Sequence, residues 1–197
     1  MRPLSRPAEK RSGEKAMTLQ DIIKGVLAEL HRPTDTATVE QWRERLTLYA
    51  NEAVADLTAA FRPWRRDEVT LAGHVVNITS LSARCLKVLA LELNGQRLPY
   101  YYGAGLNTLC VPGQKDGRPW ISYRYCPKEL VALTDVPELP AQCHPLIVTY
   151  VAARERVNFD AGSQSGAKLN FSLYETQKRR VKSDLGEPDG HRLYNRY

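Results

Sequence analysis

The chain has 197 residues, of which 43% are hydrophobic and 25% are charged, and both values are ordinary for a globular protein. That length is enough for one domain with a sizeable core, or for one body with a second lobe, without help from metals or disulfide bonds. No stretch approaches the ~20 apolar residues of a membrane span, and no apolar segment near the start indicates a secretory signal. The 28 basic and 22 acidic residues give a net charge of +6, which suits an acidic partner such as nucleic acid or an acidic protein surface.

The first third of the chain predicts two helices after a polar segment. Residues 1–17 are basic and contain proline and glycine, so we expect a flexible N-terminal segment. Thr18 is predicted to cap a helix over about 18–30, with Asp21 as its capping-box partner. Thr38 is predicted to cap a longer helix over about 39–61, because apolar residues then recur at helical spacing.

From about residue 67 the apolar residues recur with a period of two, which is typical of strands. Residues 85–93 are apolar at both alternating sets of positions, so we expect a strand that is buried on both faces. Asn94-Gly95 predicts a tight hairpin turn, after which residues 96–102 are expected to return antiparallel. Five to seven short strands in this region predict a small antiparallel β-sandwich or barrel.

After Pro127 the helical signals resume, with helices predicted over about 145–160 and 167–184. The apolar side of the last helix is expected to consist of four residues, Leu169, Leu173, Tyr174 and Val181. The predicted fold is therefore α+β: a four-helix body made of two N-terminal and two C-terminal helices, with the small antiparallel β-sandwich or barrel inserted between the pairs. The predicted boundaries are 18–66 and 127–185 for the discontinuous helical domain, 67–126 for the inserted β domain and 186–197 for a flexible C-terminal tail.

Signatures of catalysis and of metal binding are missing from the sequence. Gly162-Ser163-Gln164-Ser165-Gly166 has glutamine at its central position, where the Gly-x-Ser-x-Gly motif of a nucleophile elbow requires serine. The four cysteines, Cys85, Cys110, Cys126 and Cys143, are widely spaced and form no Cys-x-x-Cys pair. We therefore predict that the protein is not an enzyme, that it has no cofactor or metal, and that the cysteines are thiols buried as small hydrophobes.

Two groups of residues have both a functional and a structural interpretation. Basic residues surround Trp64 at the predicted junction between helix and sheet, which favours either a grip on nucleic acid or a solvated junction whose tryptophan packs on the core. Residues 100–102 are three consecutive tyrosines, which sheet packing explains without a ligand, although aromatic residues are also common at interfaces.

The last third of the chain resembles the head-to-tail adaptor (connector) proteins of tailed double-stranded DNA phages. The resemblance rests on four short segments, which are DVPELP at 135–140, HPLI at 144–147, YVAARE at 150–155 and LYE at 173–175. The order of elements, with a β insertion between helical pairs, is also similar to that family. The plan matches over about 18–184, and the specific motifs lie within 135–182.

This resemblance implies a structural virion protein at the head-tail junction, present in the host cytoplasm during assembly. Such proteins form a ring, commonly of twelve subunits, that docks on the portal protein. The ring extends the DNA channel used in genome ejection and provides the platform for a tail, nozzle or tail-terminator protein. DNA would pass through without specific binding, and no membrane is involved.

In such a ring, charged residues on the last two helices would meet the neighbouring subunit. These residues are Arg154, Glu155, Lys178, Arg179 and Arg180. The C-terminal tail would contact the portal through its arginines and apolar side chains, which are of types enriched at interfaces; these residues are Arg192, Leu193, Tyr194, Arg196 and Tyr197. The alternative for the tail is an idle chain end, and the alternative for the whole protein is a nucleic-acid-binding module, which a pI near 9.2 favours.

Overall fold

The computed structural model describes residues 16–103, 105, 107–159 and 164–185. Over these residues the protein is a mixed α+β structure with four helices and two antiparallel sheets, which confirms the predicted class. The predicted N-terminal segment, except for its last two residues, and the predicted tail 186–197 lie outside the described residues. No helix of the described chain is both long and apolar enough to span a membrane.

The described residues divide into two compact units. The helical unit comprises residues 16–61 and 128–185, and the β unit comprises residues 62–127. The helices are α1 (Leu19–Glu29), α2 (Thr36–Phe61), α3 (His144–Phe159) and α4 (Gln164–Leu185). The strands are β1 (Trp64–Glu68), β2 (Leu71–Ala72), β3 (Val75–Asn77), β4 (Arg84–Leu93), β5 (Gln96–Arg97), β6 (Tyr101–Tyr102), β7 (Thr108–Cys110) and β8 (Trp120–Cys126).

The N-termini of the helices show where local sequence signals were sufficient. Thr18 caps α1, its hydroxyl accepting the Asp21 N–H at 3.2 Å while the Asp21 carboxylate accepts the Thr18 N–H at 3.0 Å, so the predicted capping box is confirmed. The predicted cap of α2 is wrong, because the helix begins at Thr36. The Asp35 carboxylate accepts hydrogen bonds from the N–H and the hydroxyl of Thr38 at 3.1 and 2.7 Å, so Asp35 does the capping. Helix α4 begins at Gln164, three residues before its predicted start.

Residues 131–135, which lead into the DVPELP stretch, hold α1 in place. Two backbone carbonyls, those of Leu133 and Asp135, accept the N–H groups of Gln20 and Leu19 at 2.9 and 2.7 Å. These donors have no partner inside their own helix. The Asp135 carboxylate in turn accepts the N–H groups of Val131 and Ala132, which fixes the turn. Asp135, the first residue of the DVPELP stretch, therefore has an architectural role in the helical unit.

His144 has a similar role at the start of α3. Its Nδ1 atom accepts the Met17 N–H at 3.0 Å, and its Nε2 atom lies 3.2 Å from the Leu139 carbonyl oxygen. The side chain is buried. Because Nδ1 accepts, the ring carries its proton on Nε2 and donates it to that carbonyl.

The helical unit has one apolar core, to which all four helices contribute. Helix α1 packs against α2 and α3, and α3 packs against α4. Gly25 permits a close approach between α1 and α3, since a side chain at this position would lie 3.3 Å from the methyl groups of Val148. The core includes Ile22, Ile23, Leu27, Leu46, Leu57, Leu146, Ile147, Val151 and Tyr174.

In the β unit, two four-stranded sheets share a second core. Their strand orders are β1-β8-β4-β5 and β2-β3-β7-β6. Asn94 and Gly95 turn between β4 and β5 with positive φ angles of 51° and 78°, as the sequence predicted. Ile121, Tyr123 and Tyr125 face the core from alternate positions of β8.

Two strand predictions in this unit were wrong. Residues 96–102 do not form one strand: β5 pairs with β4, whereas β6 pairs with β7 in the other sheet. Pro99 lies between them and has no N–H to donate to a ladder. Strand β4 is not buried on both faces, since Leu86 is 56% exposed and Leu89 36% exposed. Register shifts within β4 break its strict alternation.

Candidate subunit-contact surface

Over residues 168–183, whose side chains the structure describes, α4 is attached to the helical unit by one side. The Tyr174 hydroxyl donates to the Asp56 carboxylate, and Lys178 Nζ lies 2.9 Å from the same carboxylate and 2.6 Å from that of Glu175. Tyr150 of α3 packs edge-on against the Tyr174 ring, with centroids 5.2 Å apart. This cluster connects α4 to α2 and α3.

The electrostatics of this cluster follow from burial and from the Asp56 carboxylate. Burial raises the pKa of Tyr174 far above its ordinary range, and its hydrogen bond to Asp56 raises it further. For Lys178, burial alone would lower the pKa, but the Glu175 and Asp56 carboxylates outweigh it and raise the pKa. Tyr174 therefore stays neutral and Lys178 stays charged, so the cluster is an intramolecular attachment.

A second charged pair lies between α2 and α3. The Arg45 guanidinium is 2.7 Å from the Glu155 carboxylate, and Glu155 is completely buried. Arg32 and Arg45 also lie on the Trp42 ring, at 3.8 and 4.3 Å from its centroid. Burial raises the pKa of Glu155, and the two arginines offset part of that rise. The second carboxylate oxygen of Glu155, Oε2, is buried without a hydrogen-bond partner.

A shallow cavity of about 220 Å³ adjoins this pair. It is lined by five residues, Leu30, His31, Arg32, Glu155 and Arg156. Arg156 donates to the Glu29 carbonyl oxygen at 2.7 Å, which satisfies the C-terminal end of α1. The cavity thus combines two arginines with one carboxylate, so the charged groups that line it are mainly basic.

The opposite side of α4 is an exposed apolar and basic surface, which we call the α4 outer face. It consists of Leu169, Leu173, Thr176, Arg179 and Arg180, all of them exposed. Leu169 is 70% exposed and Leu173 is 48% exposed. The predicted packing side of the helix is confirmed for Tyr174, which is buried, and for Val181, which packs on the core, but it is wrong for the two leucines. At about 100° of rotation per residue, Leu169 and Leu173 point well away from Tyr174.

Helix α2 has a second exposed stripe, which the sequence analysis did not single out. We call it the α2 outer face; its exposed members are Glu40, Gln41, Glu44, Leu48 and Ala55, and the half-buried Glu52 continues the same stripe. Leu48 is 59% exposed, and Glu44 and Glu52 lie one turn before and one turn after it. An exposed leucine between glutamates at i−4 and i+4 was the available signal. The sequence pattern alone does not show that Leu48 is exposed, because that depends on which side of α2 packs against the core.

The residues predicted to contact a neighbouring subunit have different surroundings. Glu155 is buried against Arg45, and Lys178 is held by Asp56 and Glu175. Arg154 is half-buried, 3.4 Å from Glu52. Arg179 and Arg180 are exposed on the α4 outer face. The predicted portal-contact residues, 192–194, 196 and 197, lie outside the described residues.

The basic and aromatic residues around Trp64 lie in β1. Register places Trp64, Arg66, Arg124 and Trp120 on the same face of the first sheet. Arg66 pairs with Glu92 at 2.8 Å and lies 5.2 Å from the Trp120 ring centroid. Trp120 is 43% exposed. This sheet face combines arginine and tryptophan side chains, and the Glu92 carboxylate neutralises Arg66.

Of the three adjacent tyrosines, Tyr101 and Tyr102 are 59% and 57% exposed. Tyr100 is half-buried and its hydroxyl donates to the Val88 carbonyl oxygen at 3.2 Å. Sheet packing therefore accounts for Tyr100 only.

Neither metal-ligating side chains nor comparison with known proteins assigns a function to the described residues. Among the residues that the structure describes, no three metal-ligating side chains cluster together and no disulfide bond joins the cysteines. No family model matches the chain, and no curated protein matches it either.

Proposed function

We propose that the protein is a subunit of a head-to-tail adaptor ring of a tailed double-stranded DNA phage, built as a four-helix body with an inserted β-sandwich. The observation that carries the proposal is the α4 outer face. A helix that is firmly attached by Tyr174 and Lys178 nevertheless exposes Leu169 and Leu173 to solvent. Apolar side chains in such a position favour contact with another protein.

Ring formation is supported by the way the helical charges are distributed. The charged groups nearest the core, Glu155 and Lys178, have partners in their own chain, so they fix the fold of one subunit. Arg179 and Arg180 remain on the outside beside the exposed leucines. Heterologous contacts between identical subunits close into a ring when the rotation permits it.

The remaining parts of the proposal follow from the resemblance to the adaptor family. The ring, commonly a dodecamer, docks on the portal protein, extends the DNA channel and offers a platform to the tail, with the β unit directed outward or toward the next tail component. The tail residues Arg192, Leu193, Tyr194, Arg196 and Tyr197 meet the portal, and DNA passes without specific binding. The protein acts in the virion after assembly in the host cytoplasm.

The test is assembly on the cognate portal protein. Mixing the full chain with purified portal rings and measuring the mass of the complex by native mass spectrometry should show many copies per portal, and electron microscopy should show an added ring. Leu173→Glu should weaken this assembly, because it places a charge in an apolar contact. Ser172→Glu is the matched control, since it adds the same charge on the adjacent exposed residue. A chain that stays monomeric with the portal present contradicts the proposal.

The role of the C-terminal tail is tested separately by truncation after Gly186. The helical unit should melt at an unchanged temperature, while docking on the portal falls sharply. Equal docking by the truncated and the intact protein would assign the portal contact to another surface.

A nucleic-acid-binding module is the second candidate, favoured by the sheet face that contains Trp64, Arg66, Trp120 and Arg124. Tryptophan stacking and arginine contacts to phosphates are the usual means of binding single strands. A binder of this kind loses affinity by ~10³ or more between 50 and 200 mM salt when it neutralises several phosphates. Measurement of the salt dependence of DNA binding, with Trp120→Ala and Arg124→Ala as variants, distinguishes the two functions.

A further inference from the structure

We propose that the α4 outer face of one copy packs antiparallel on the α2 outer face of the next copy, with Leu173 against Leu48 and Arg180 beside Glu44. This inference rests on the proposed ring and names the two surfaces that build it. Both surfaces belong to the helical unit, so each copy presents one of each.

The two faces cannot meet within one chain. Tyr174 and Lys178 reach Asp56 of α2 from the inner side of α4. Leu169 and Leu173 are on the other side of the same helix, so they point away from their own α2. A contact that joins two different faces of identical molecules is heterologous and propagates from copy to copy.

Charge complementarity identifies the α2 outer face as the partner. The side of α4 that carries the two leucines is basic, with the exposed Arg180 about 20° around the helix from Leu173 and the exposed Arg179 at the edge of that side. Around Leu48, the α2 outer face carries the exposed Glu44, the exposed Glu40, which lies 3.5 Å from Arg43, and the half-buried Glu52, which lies 3.4 Å from Arg154. Two α4 outer faces would bring like charges together, which disfavours a symmetric contact. The pairing of α4 with α2 places opposite charges around an apolar centre, as interfaces generally do.

Helical spacing then selects the antiparallel direction. Arg180 lies seven residues, or about 10.5 Å, beyond Leu173. With Leu173 on Leu48 and the helices antiparallel, Arg180 is level with Gln41, between Glu40 and Glu44, and Leu169 is level with Glu52 beside Ala55. A parallel arrangement would instead place Arg180 level with Ala55, where the nearby Glu52 already lies 3.4 Å from Arg154 of its own chain, and Leu169 beside Glu44. The antiparallel register therefore gives Arg180 the better acidic partners, Glu40 and Glu44.

Cysteine cross-linking of full-length chains tests this pairing directly. Leu48→Cys and Leu173→Cys are made singly and together, and each protein is joined at high concentration with a short bifunctional maleimide. The expected product from a mixture of the two single variants is a covalent dimer. The double variant should give a ladder of multimers, and neither single variant alone should exceed the background of the unmodified chain.

The matched control is Leu48→Cys mixed with Lys182→Cys. Lys182 is exposed on α4 but lies about 180° around the helix from Leu173, so no dimer above background is expected. Dimers from Leu173→Cys alone would show a symmetric contact and overturn the proposal. Absence of the 48–173 dimer, or an equal yield with Lys182→Cys, would also overturn it.

A charge-reversal series provides a second readout in the same concentration range. Sedimentation velocity of Arg180→Glu should show self-association weakened about tenfold, because the reversed charge meets Glu40 and Glu44. Glu44→Arg should weaken it similarly, and the double variant should recover most of the loss. If the double variant is weaker than either single variant, the two residues do not face each other.

The same variants separate this inference from the proposed function. Rings that form on the portal but show no 48–173 cross-link would retain the function and reject the pairing. A 48–173 ladder from a chain that ignores the portal would retain the pairing and reject the function.

Discussion

Two acids, Asp67 in the β unit and Glu155 in the helical unit, have pKa values shifted in opposite directions. Asp67 in the β unit accepts three hydrogen bonds: from the Ser82 N–H, the Ser82 hydroxyl and the Tyr123 hydroxyl, at 2.7–2.8 Å. Burial alone would raise the pKa of Asp67, but these donors and Arg65 outweigh it and lower the pKa. Glu155 in the helical unit is more deeply buried and faces two arginines, yet its pKa is raised.

Two differences between the acids account for the opposite pKa shifts: Glu155 is more deeply buried than Asp67, and it has fewer hydrogen-bond donors. All three donors to Asp67 bind the same carboxylate oxygen, Oδ2; two come from Ser82 and one from Tyr123 of the neighbouring strand β8. Glu155 has one oxygen bound by Arg45 and another, Oε2, with no partner. The free-energy cost of removing a carboxylate from water is offset only when hydrogen bonds satisfy its lone pairs.

The largest expected effect comes from removing the cation that faces Glu155. Arg45→Met removes the cation that pairs with the fully buried Glu155 carboxylate. Removing one partner of a fully enclosed ion pair costs about 3–5 kcal/mol. Because the Arg45 side chain is 44% exposed, we expect the free energy of unfolding to fall by about 2 kcal/mol. Urea denaturation measures this, with Arg43→Met as the control on the same helix. Equal stability of the two variants would mean that Glu155 is already protonated in the folded protein.

In the β unit, the corresponding change is Asp67→Ala. It leaves the Ser82 N–H and the Tyr123 hydroxyl without their acceptor, and we expect a loss of about 1.5 kcal/mol in the free energy of unfolding. Glu68→Ala, at the next position of β1, is exposed and should change stability by less than about 0.5 kcal/mol. A similar loss for both would contradict the view that hydrogen bonds stabilise Asp67.

The third prediction concerns Arg32, the second arginine that acts on Glu155. Its guanidinium stacks on Trp42 and adds favourable charge near Glu155. Arg32→Gln should lower the free energy of unfolding by about 1 kcal/mol, and the loss should shrink when Glu155→Gln is already present. A double-mutant cycle from urea melts gives this coupling, and a coupling of zero would mean that Arg32 acts only on the tryptophan.

The smallest effect at any one pH is the opposite pH dependence of the two acids. Because the pKa of Glu155 is raised, its contribution is full below about pH 4.3 and is lost as the pH rises through its folded value. Because the pKa of Asp67 is lowered, its contribution is full above about pH 3.9 and is lost as the pH falls through its folded value. Glu155→Gln and Asp67→Asn both mimic the protonated acid, so from pH 3 to 7 each stability curve should depart from the wild type as the pH rises, with Glu155→Gln gaining and Asp67→Asn losing stability relative to the wild type. Departure of both curves in the same direction would contradict the comparison.

Local sequence signals predicted the features that depend on neighbours in the chain. The Thr18 capping box and the Asn94-Gly95 turn each need only a few adjacent residues, and both formed as expected. The cap of α2 was misplaced because Asp35 and Thr38 are both good capping residues, three positions apart. Their hydrogen bonds to each other decided the outcome.

The candidate site was harder to predict because it depends on distant pairings. Glu155 looks like an ordinary surface acid in a charge-rich helix, and it is buried because Arg45, 110 residues earlier, approaches it. Leu169 and Leu173 look like core residues by period alone. They are exposed because Tyr174 and Lys178 attach the opposite side of α4 to Asp56, and no pattern within α4 predicts that choice.

The contact between Met17 and His144 joins residues 127 positions apart in the chain. Met17 therefore waits for its partner during translation. At 5–20 residues per second, a ribosome needs roughly 6 to 25 s to proceed from one to the other. During that interval α1 and α2 have emerged without the turn and the helix that complete their core. Residues 62–127, whose strands pair only with each other, finish emerging first. We therefore expect the middle of the chain to fold before its beginning, leaving the apolar side of α1 exposed on the nascent chain until α3 follows.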